Sequence, residues 1–374
     1  MGIPKVSQLG VMGIAVVSVL GGGWIACRAT PQTIPPLPAS RVLLTKTLDG
    51  VIHKLADDGK IYRVDPATGR WVFESVLFDP AIVARSYIVR NGRTYRVDLN
   101  TGREFPVRRT FTEGFERLPE NEAGLRGLLT ETHGWSEATL QSPETPTVAQ
   151  YVALRHEILA GRRDFADARV APTLGDAHEG RAALRCVCPP RTNAMICAKA
   201  SLTTGLVRFV DGDVVRYEAW YRLPGPAFPF TLVDLESDLM NESPGLRVMI
   251  FDGRELGIEM KALEKPTFRQ PTDRAIPVPR DRWFRLRWEI GLAAGERGWT
   301  RLWQDDRLIV DAHGPTLPFA SAIYNSLEVG CTAHTFGNRP AVVLMDDLRI
   351  EALPTPKHSN SSGAVRRPRP GKRR

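Results

Sequence analysis

A series of short segments in which apolar and polar residues alternate one for one constrains this chain more than any other feature. The clearest is Trp283-Phe284-Arg285-Leu286-Arg287-Trp288-Glu289-Ile290. Residues 214–221, 246–250, 256–261, 300–304, 308–310, 326–330 and 342–350 follow the same scheme. Alternation sends successive side chains to opposite faces of a strand, so each segment offers one face to a core and one to solvent. Glycine, proline and aspartate separate the segments. Many short strands so punctuated predict an all-β fold, an antiparallel two-sheet jelly-roll sandwich over residues 109–355. One helix interrupts it, with Val148, Tyr151, Val152, Ile158 and Leu159 on one face, begun near Pro146 and stopped at Gly161.

The ends differ from this body. Lys5 precedes an uncharged run from Val6 to Ala26, which predicts a secretory signal or a membrane anchor over residues 1–29. Trp24-Ile25-Ala26-Cys27 resembles a bacterial lipoprotein signal, which would make Cys27 a lipidation site. A proline-rich stretch over 30–40 reads as an extended spacer. Residues 356–374 are polar and basic, a composition that does not fold alone and suits an anionic surface. The net charge is +8. The tail's seven cations together with Lys5 and Arg28 account for nine, which leaves residues 41–355 near −1. Neutrality of the body argues against specific nucleic-acid binding. The expected setting is therefore exported and membrane-tethered, at the periplasm or cell surface.

Apart from Cys27 there are four cysteines, Cys186, Cys188, Cys197 and Cys331. An even number suits a disulfide framework, with a local bridge from Cys197 to Cys186 or Cys188 as one possibility. Residues 41–108 carry a repeat. Gly59, Tyr62-Arg63-Val64-Asp65 and Thr68-Gly69-Arg70 recur 33 residues on as Gly92, Tyr95-Arg96-Val97-Asp98 and Thr101-Gly102-Arg103. Each copy reads as a turn, a strand and a second glycine turn, giving a small β-hairpin module. The repeat resembles the blade motif of quinoprotein-type propellers, although a propeller needs at least four blades.

The order of motifs in the large domain carries a second resemblance. It runs from Phe-x-x-Gly-Phe-Glu at 111–116 and Gly134-Trp135 through Gly212-Asp213-Val214-Val215 and Trp220-Tyr221. It continues with Arg282-Trp283-Phe284, Trp303-Gln304-Asp305-Asp306 and Asp346-Asp347-Leu348-Arg349-Ile350. This resembles the concanavalin A-like jelly roll, in the branch of polysaccharide lyases and laminin-G-like glycan-binding domains. The resemblance implies a polysaccharide partner and a concave outer face on which glycans lie. It also implies a structural calcium at Asp346 and Asp347, or no cofactor.

Parity places Glu259, Lys261, Arg285, Arg287 and Glu289 outward, with Arg247 outward if its neighbours face the core; these, with Glu236, are the expected substrate contacts. Elimination from a uronate needs a cation on its carboxylate, a base for the C5 proton and an acid for the leaving oxygen. Arg247 or Arg287 suits the first task, Lys261 or His334 the second, and Tyr324 or Tyr217 the third. A jelly-roll glycosidase of the laminarinase type would need Glu-x-Asp-x-Glu; Asp234 and Glu236 match its last two acids, but Leu232 occupies the nucleophile position. A non-catalytic glycan-binding, adhesion or structural envelope module is the alternative to an enzyme.

Overall fold

The computed structural model describes residues 41–48, 50–225, 229–252, 254–261, 267–335 and 337–354. The signal or anchor, Cys27, the proline-rich spacer and the basic tail lie outside the described residues. No helix among the described residues is long and apolar enough to cross a membrane.

The hairpin repeat makes two small antiparallel meanders. The first is β1 (Val42–Leu48), β2 (Val51–Ala56), β3 (Lys60–Val64) and β4 (Trp71–Val76). After a short helix α1 (Pro80–Arg85) come β5 (Tyr87–Arg90), β6 (Arg93–Val97) and β7 (Glu104–Pro106). The repeated turns are built alike: the Asp65 carboxylate accepts the Ala67 N–H, and the Asp98 carboxylate accepts the Asn100 N–H. Among the described residues this four-stranded sheet and three-stranded sheet do not build the ring of blades that a propeller requires.

The sandwich follows. Its elements are β8 (Thr110–Glu113), α2 (Asn121–Leu128), β9 (Glu137–Gln141), α3 (Val148–Leu159), β10 (Arg169–Leu174), β11 (Ala182–Cys188) and β12 (Ala198–Thr204). Next are β13 (Val214–Arg222), β14 (Phe230–Glu236), β15 (Gly245–Ile250), β16 (Leu256–Lys261) and β17 (Thr267–Phe268). The last five are β18 (Phe284–Gly291), β19 (Trp299–Gln304), β20 (Arg307–His313), β21 (Ser326–His334) and β22 (Ala341–Leu353). One sheet has the order β10-β11-β22-β13-β18-β19-β20 with β8 added beside β22; the other has the order β17-β16-β15-β14-β21-β12-β9. The predicted jelly-roll sandwich is therefore present, and α3 falls where its apolar stripe indicated. Thr147 starts that helix with a reciprocal capping box to Gln150.

Between the sheets lie the inward halves of the alternating strands. Phe284, Leu286, Trp288 and Ile290 are buried, as are Tyr217, Tyr221 and Phe209. The polar tips inside are paired: the Trp288 indole donates to Thr300 Oγ1 at 2.8 Å, and the Tyr217 and Tyr221 hydroxyls share a 2.6 Å bond. Tyr324 is also fully buried and donates to the Thr316 carbonyl at 2.8 Å. Tyr217 and Tyr324 are thus core residues and reach no outer face, which corrects their expected part as proton donors.

The four described cysteines are free thiols, so the disulfide framework expected from their even number is absent among them. Cys186 and Cys188 lie buried on β11, and Cys331 is buried on β21 of the facing sheet. The loop that a Cys197 bridge would have closed is held instead by Arg191, whose guanidinium donates to the Thr335 carbonyl at 2.7 Å and the Met195 carbonyl at 3.3 Å.

Gly330 of β21 packs closely against Cys186 of the facing sheet. It has φ +113°, and a Cβ there would stand 2.7 Å from Cys186 Sγ and 2.9 Å from the Ala200 carbonyl oxygen. Gly330→Ala is expected to lower the unfolding free energy by about 2–4 kcal/mol through strain and overpacking. Chemical denaturation of the full chain with an unchanged m-value would confirm this; an unchanged midpoint would refute it.

Candidate functional site

The outward side of the seven-stranded sheet carries a set of ionisable groups in tight mutual contact. On β14, Val233 and Leu235 point into the core, so Asp234 and Glu236 project from the other side. Cross-strand register carries that parity sideways. Asp234 stands opposite Glu328 of β21 and Arg247 of β15; Arg247 stands opposite Glu259 of β16, which faces Thr267 of β17. In the other direction Glu328 faces Thr203 of β12, and Thr203 faces Glu137 of β9. One row of polar side chains therefore crosses all seven strands. The neighbouring row is Ser326, Glu236, Gly245 and Lys261. Gly245 leaves the gap over which Lys261 reaches Glu236; a Cβ there would come within 2.6 Å of the Glu236 Cβ.

The groups are interlocked. Lys261 Nζ bonds Glu236 Oε2 and lies 3.5 Å from Asp234 Oδ1. Arg247 Nε sits between Asp234 Oδ1 at 3.6 Å and Glu259 Oε1 at 3.5 Å. Lys199 of β12 meets Glu328 Oε2 at 2.9 Å, while Ser201 donates to Glu328 Oε1 at 2.5 Å and Thr332 donates to Asp234. Three cations thus face four carboxylates on a poorly solvated face; the Asp234 side chain is only 3% exposed. Asp234 Oδ1 and Arg247 Nε are both buried with no hydrogen bond in reach. These two charges are therefore held by mutual attraction without a full set of hydrogen bonds.

The surroundings divide the carboxylates. Burial opposes the charge of Asp234, but Lys261, Arg247 and Lys199 outweigh it and hold this carboxyl below its ordinary value. Glu236 is pushed up to about 7, chiefly by burial, with Asp234 and Glu328 adding repulsion that Lys261 only partly offsets. Burial works against the Lys261 ammonium too, yet Asp234 and Glu236 raise it above the usual lysine range. Lys199 is likewise raised, with Glu328 overcoming burial. Two carboxyl groups two residues apart on one strand are thereby split into a firm anion and a group poised near neutrality.

Of the residues expected from sequence, Glu236, Arg247, Glu259 and Lys261 come together here. Lys261 is held protonated, which suits a proton donor and not the base it was expected to be. Arg285, Arg287 and Glu289 do not join them: they lie on β18 in the eight-stranded sheet and project from the opposite side of the sandwich. There Arg285 pairs with Asp306, Arg287 lies 4.0 Å over the Trp303 ring, and Glu289 accepts Arg216 Nε at 2.9 Å. His334 ends β21, fully buried, with Nδ1 3.0 Å from the Pro189 carbonyl; it is a strand residue and does not lie in a loop. Leu232 is buried in the core beside a register shift in β14, so no nucleophile stands at that position of the glycosidase pattern.

Asp346 and Asp347 do not fit the expected calcium site. Asp346 accepts the backbone N–H groups of His178 and Glu179, and Asp347 pairs with His178 Nδ1 at 2.8 Å, so both anchor the loop before β11. Among the described residues no group of three His, Cys, Asp or Glu gathers to hold a metal ion.

Lys199, Ser201, Glu328 and Thr332 were not singled out from sequence. Ala198-Lys199-Ala200-Ser201-Leu202 does alternate, as does Leu327-Glu328-Val329, and that signal marks them as outward. Their adjacency to β14 depends on strand order, which alternation does not encode.

No family model and no curated protein matches the sequence. Solved structures do resemble it in shape. An endo-β-1,4-glucuronan lyase from the fungus Trichoderma reesei is 12% identical, with TM-score 0.44, over 59% of this chain and 92% of that one. An alginate lyase, solved as a mutant with alginate trisaccharide, is 8% identical with TM-score 0.40, over 66% of this chain and 100% of that one. A carbohydrate-binding module from Bacillus subtilis is 15% identical with TM-score 0.30, over 50% of this chain and 96% of that one.

The raised Glu236 carboxyl has a consequence for stability. Its folded value of about 7 exceeds the ordinary 4.5, so between these two the folded state binds more protons than the unfolded state. Stability therefore falls as pH rises through that window. Glu236→Gln is expected to remove this fall, leaving the variant more stable than the parent by about 2 kcal/mol at pH 8 relative to pH 4. Paired denaturation curves across that range check it, and parallel pH profiles would refute it.

Proposed function

We propose that the outward face of the seven-stranded sheet binds a uronate-containing polysaccharide and cleaves it by β-elimination. The observation that carries this reading is the Glu236–Lys261 pair, a carboxyl poised near neutrality against a protonated amine, set beside the half-satisfied guanidinium of Arg247. Arg247 would take the uronate carboxylate and so acidify the C5 proton. Glu236 in its ionised form accepts that proton as the C4–O bond breaks and the C4–C5 double bond forms. Lys261 donates a proton to the departing oxygen. Because Lys261 touches Glu236, the proton held by the carboxylic acid then passes to the neutral amine, which restores both groups. The signal-like N-terminus and the basic tail fit an exported protein tethered where such polymers are met.

A second reading, a non-catalytic glycan-binding module, draws on one specific fact: each cation of the face already contacts a carboxylate. Incubation of the protein with a panel of uronate polymers, following absorbance of the unsaturated product, separates the two. Product formation supports cleavage; retention of polymer without product supports the module. With an active substrate, Glu236→Gln is expected to reduce kcat by about 10²–10⁴-fold, and Arg247→Ala to raise KM. The wild-type rate should increase with pH through about 7 as Glu236 loses its proton. A rate indifferent to Glu236→Gln would exclude Glu236 as the base.

A further inference from the structure

The hairpin module is docked on the sandwich at the strand ends nearest Glu236. Phe78, just after β4, stacks on Phe319 with centroids 5.5 Å apart and forms an isolated bridge with Met240. Asn241 donates its backbone N–H to the Leu77 carbonyl at 2.7 Å and its side-chain amide to the Val76 carbonyl at 2.6 Å. From β6, Arg96 reaches furthest: Nη1 donates to the Gly205 carbonyl at 2.9 Å, just past β12, and Nη2 pairs with Asp238 at 2.6 Å, just past β14. Asp238 and Asn325 hold each other through two bonds, Asn325 Nδ2 to Asp238 Oδ1 at 2.6 Å and Asp238 N to Asn325 Oδ1 at 3.0 Å. Asn325, immediately before β21, also donates its backbone N–H to the Glu236 carbonyl at 2.9 Å.

We propose that the hairpin module is a positioning part of the site, locking the Glu236 end of β14 to the starts and ends of its neighbours through Arg96, Asp238 and Asn325. This rests on the reading of Glu236 as the proton acceptor. The Arg96 guanidinium ties the ends of β12 and β14 directly and the start of β21 through Asp238 and Asn325; these three strands carry Lys199, Asp234 with Glu236, and Glu328. The charged groups facing Glu236 come from each of those strands and from β16: Lys199, Asp234, Glu328 and Lys261. From the module side stand Arg96 and Tyr87; the buried Tyr87 hydroxyl shares this junction, and Arg208 lies 5.2 Å over its ring. If the strand ends slide, Glu236, the last residue of β14, moves relative to Lys199, Glu328 and Lys261, its three charged neighbours on other strands. The repeat would then act neither as a spacer nor as a separate docking surface.

The test uses the full chain with Arg96→Ala, Arg96→Lys and, should Arg96→Ala fail to fold, Asp238→Asn. Two readouts are needed. In the lyase assay, Arg96→Ala is expected to lower kcat about tenfold with KM changed less than threefold, and Arg96→Lys to recover most of the loss. Independently of activity, the pH midpoint of the stability difference between each variant with Glu236 and with Glu236→Gln is expected to move by at least about half a unit. An unmoved midpoint together with an unchanged kcat would overturn the positioning role. Absence of product from the wild type would instead defeat the cleavage reading, and the midpoint would still decide whether the module positions Glu236.

Discussion

The buried carboxylate of Asp234 is the constraint around which the seven-stranded sheet is arranged. An anion this poorly solvated on a sheet surface is stable only if opposite charges and donors surround it. Arg247 and Lys261 supply the charge from two successive strands, and Thr332 supplies a hydrogen bond from a third. Once those cations are committed, Glu236 must share Lys261 with Asp234, and its own carboxyl is left under-compensated. Burial is the larger cause of the raised Glu236 carboxyl, and the commitment of Lys261 to Asp234 as well leaves that rise only partly offset. The missing side chain at Gly245 completes the arrangement, because it allows a lysine two strands away to serve both acids.

The opposite sheet solves its polar problem differently. Some of its outward arginines lie over a tryptophan ring or pair with an exposed acid, as Arg287 does with Trp303 and Arg301 with Asp311. Such pairs are solvated and individually weak. Alternating Arg and Glu residues read alike in both sheets, yet only one sheet concentrates them into a poorly hydrated lattice. The difference lies in burial: β14 and nearly all of β21 are buried from end to end on both faces, whereas Arg285, Arg287 and Glu289 of β18 remain partly open.

Much of the fold was legible because alternation is a local property. The strands, the helix at 148–159 and the outward parity of Glu259, Lys261, Arg287 and Glu289 all follow from period-two and period-3.6 patterning. Which sheet each strand joins is decided by tertiary packing, so Arg285, Arg287 and Glu289 were grouped with Lys261 although the sandwich separates them. Tyr324 and Tyr217 were misjudged for a related reason: a tyrosine next to a turn or within an alternating strand gives no local sign of which side its hydroxyl takes. Glu328 and Lys199 lay in plain alternating segments, and only the order β14-β21-β12 reveals them as neighbours of Asp234. The cysteines misled through number alone, since an even count carries no information about distance.

Those thiols leave the two layers without a covalent tie among the described residues. Cys186 and Cys331 are fully enclosed, and burial pushes both thiols well above their usual range. They are consequently shielded from alkylating reagents while the layers stay together, and become reactive only when the layers part. The sandwich thus contains its own reporter: the rate of modification at Cys186 and Cys331 measures how often the two sheets breathe apart, with no engineered cysteine needed.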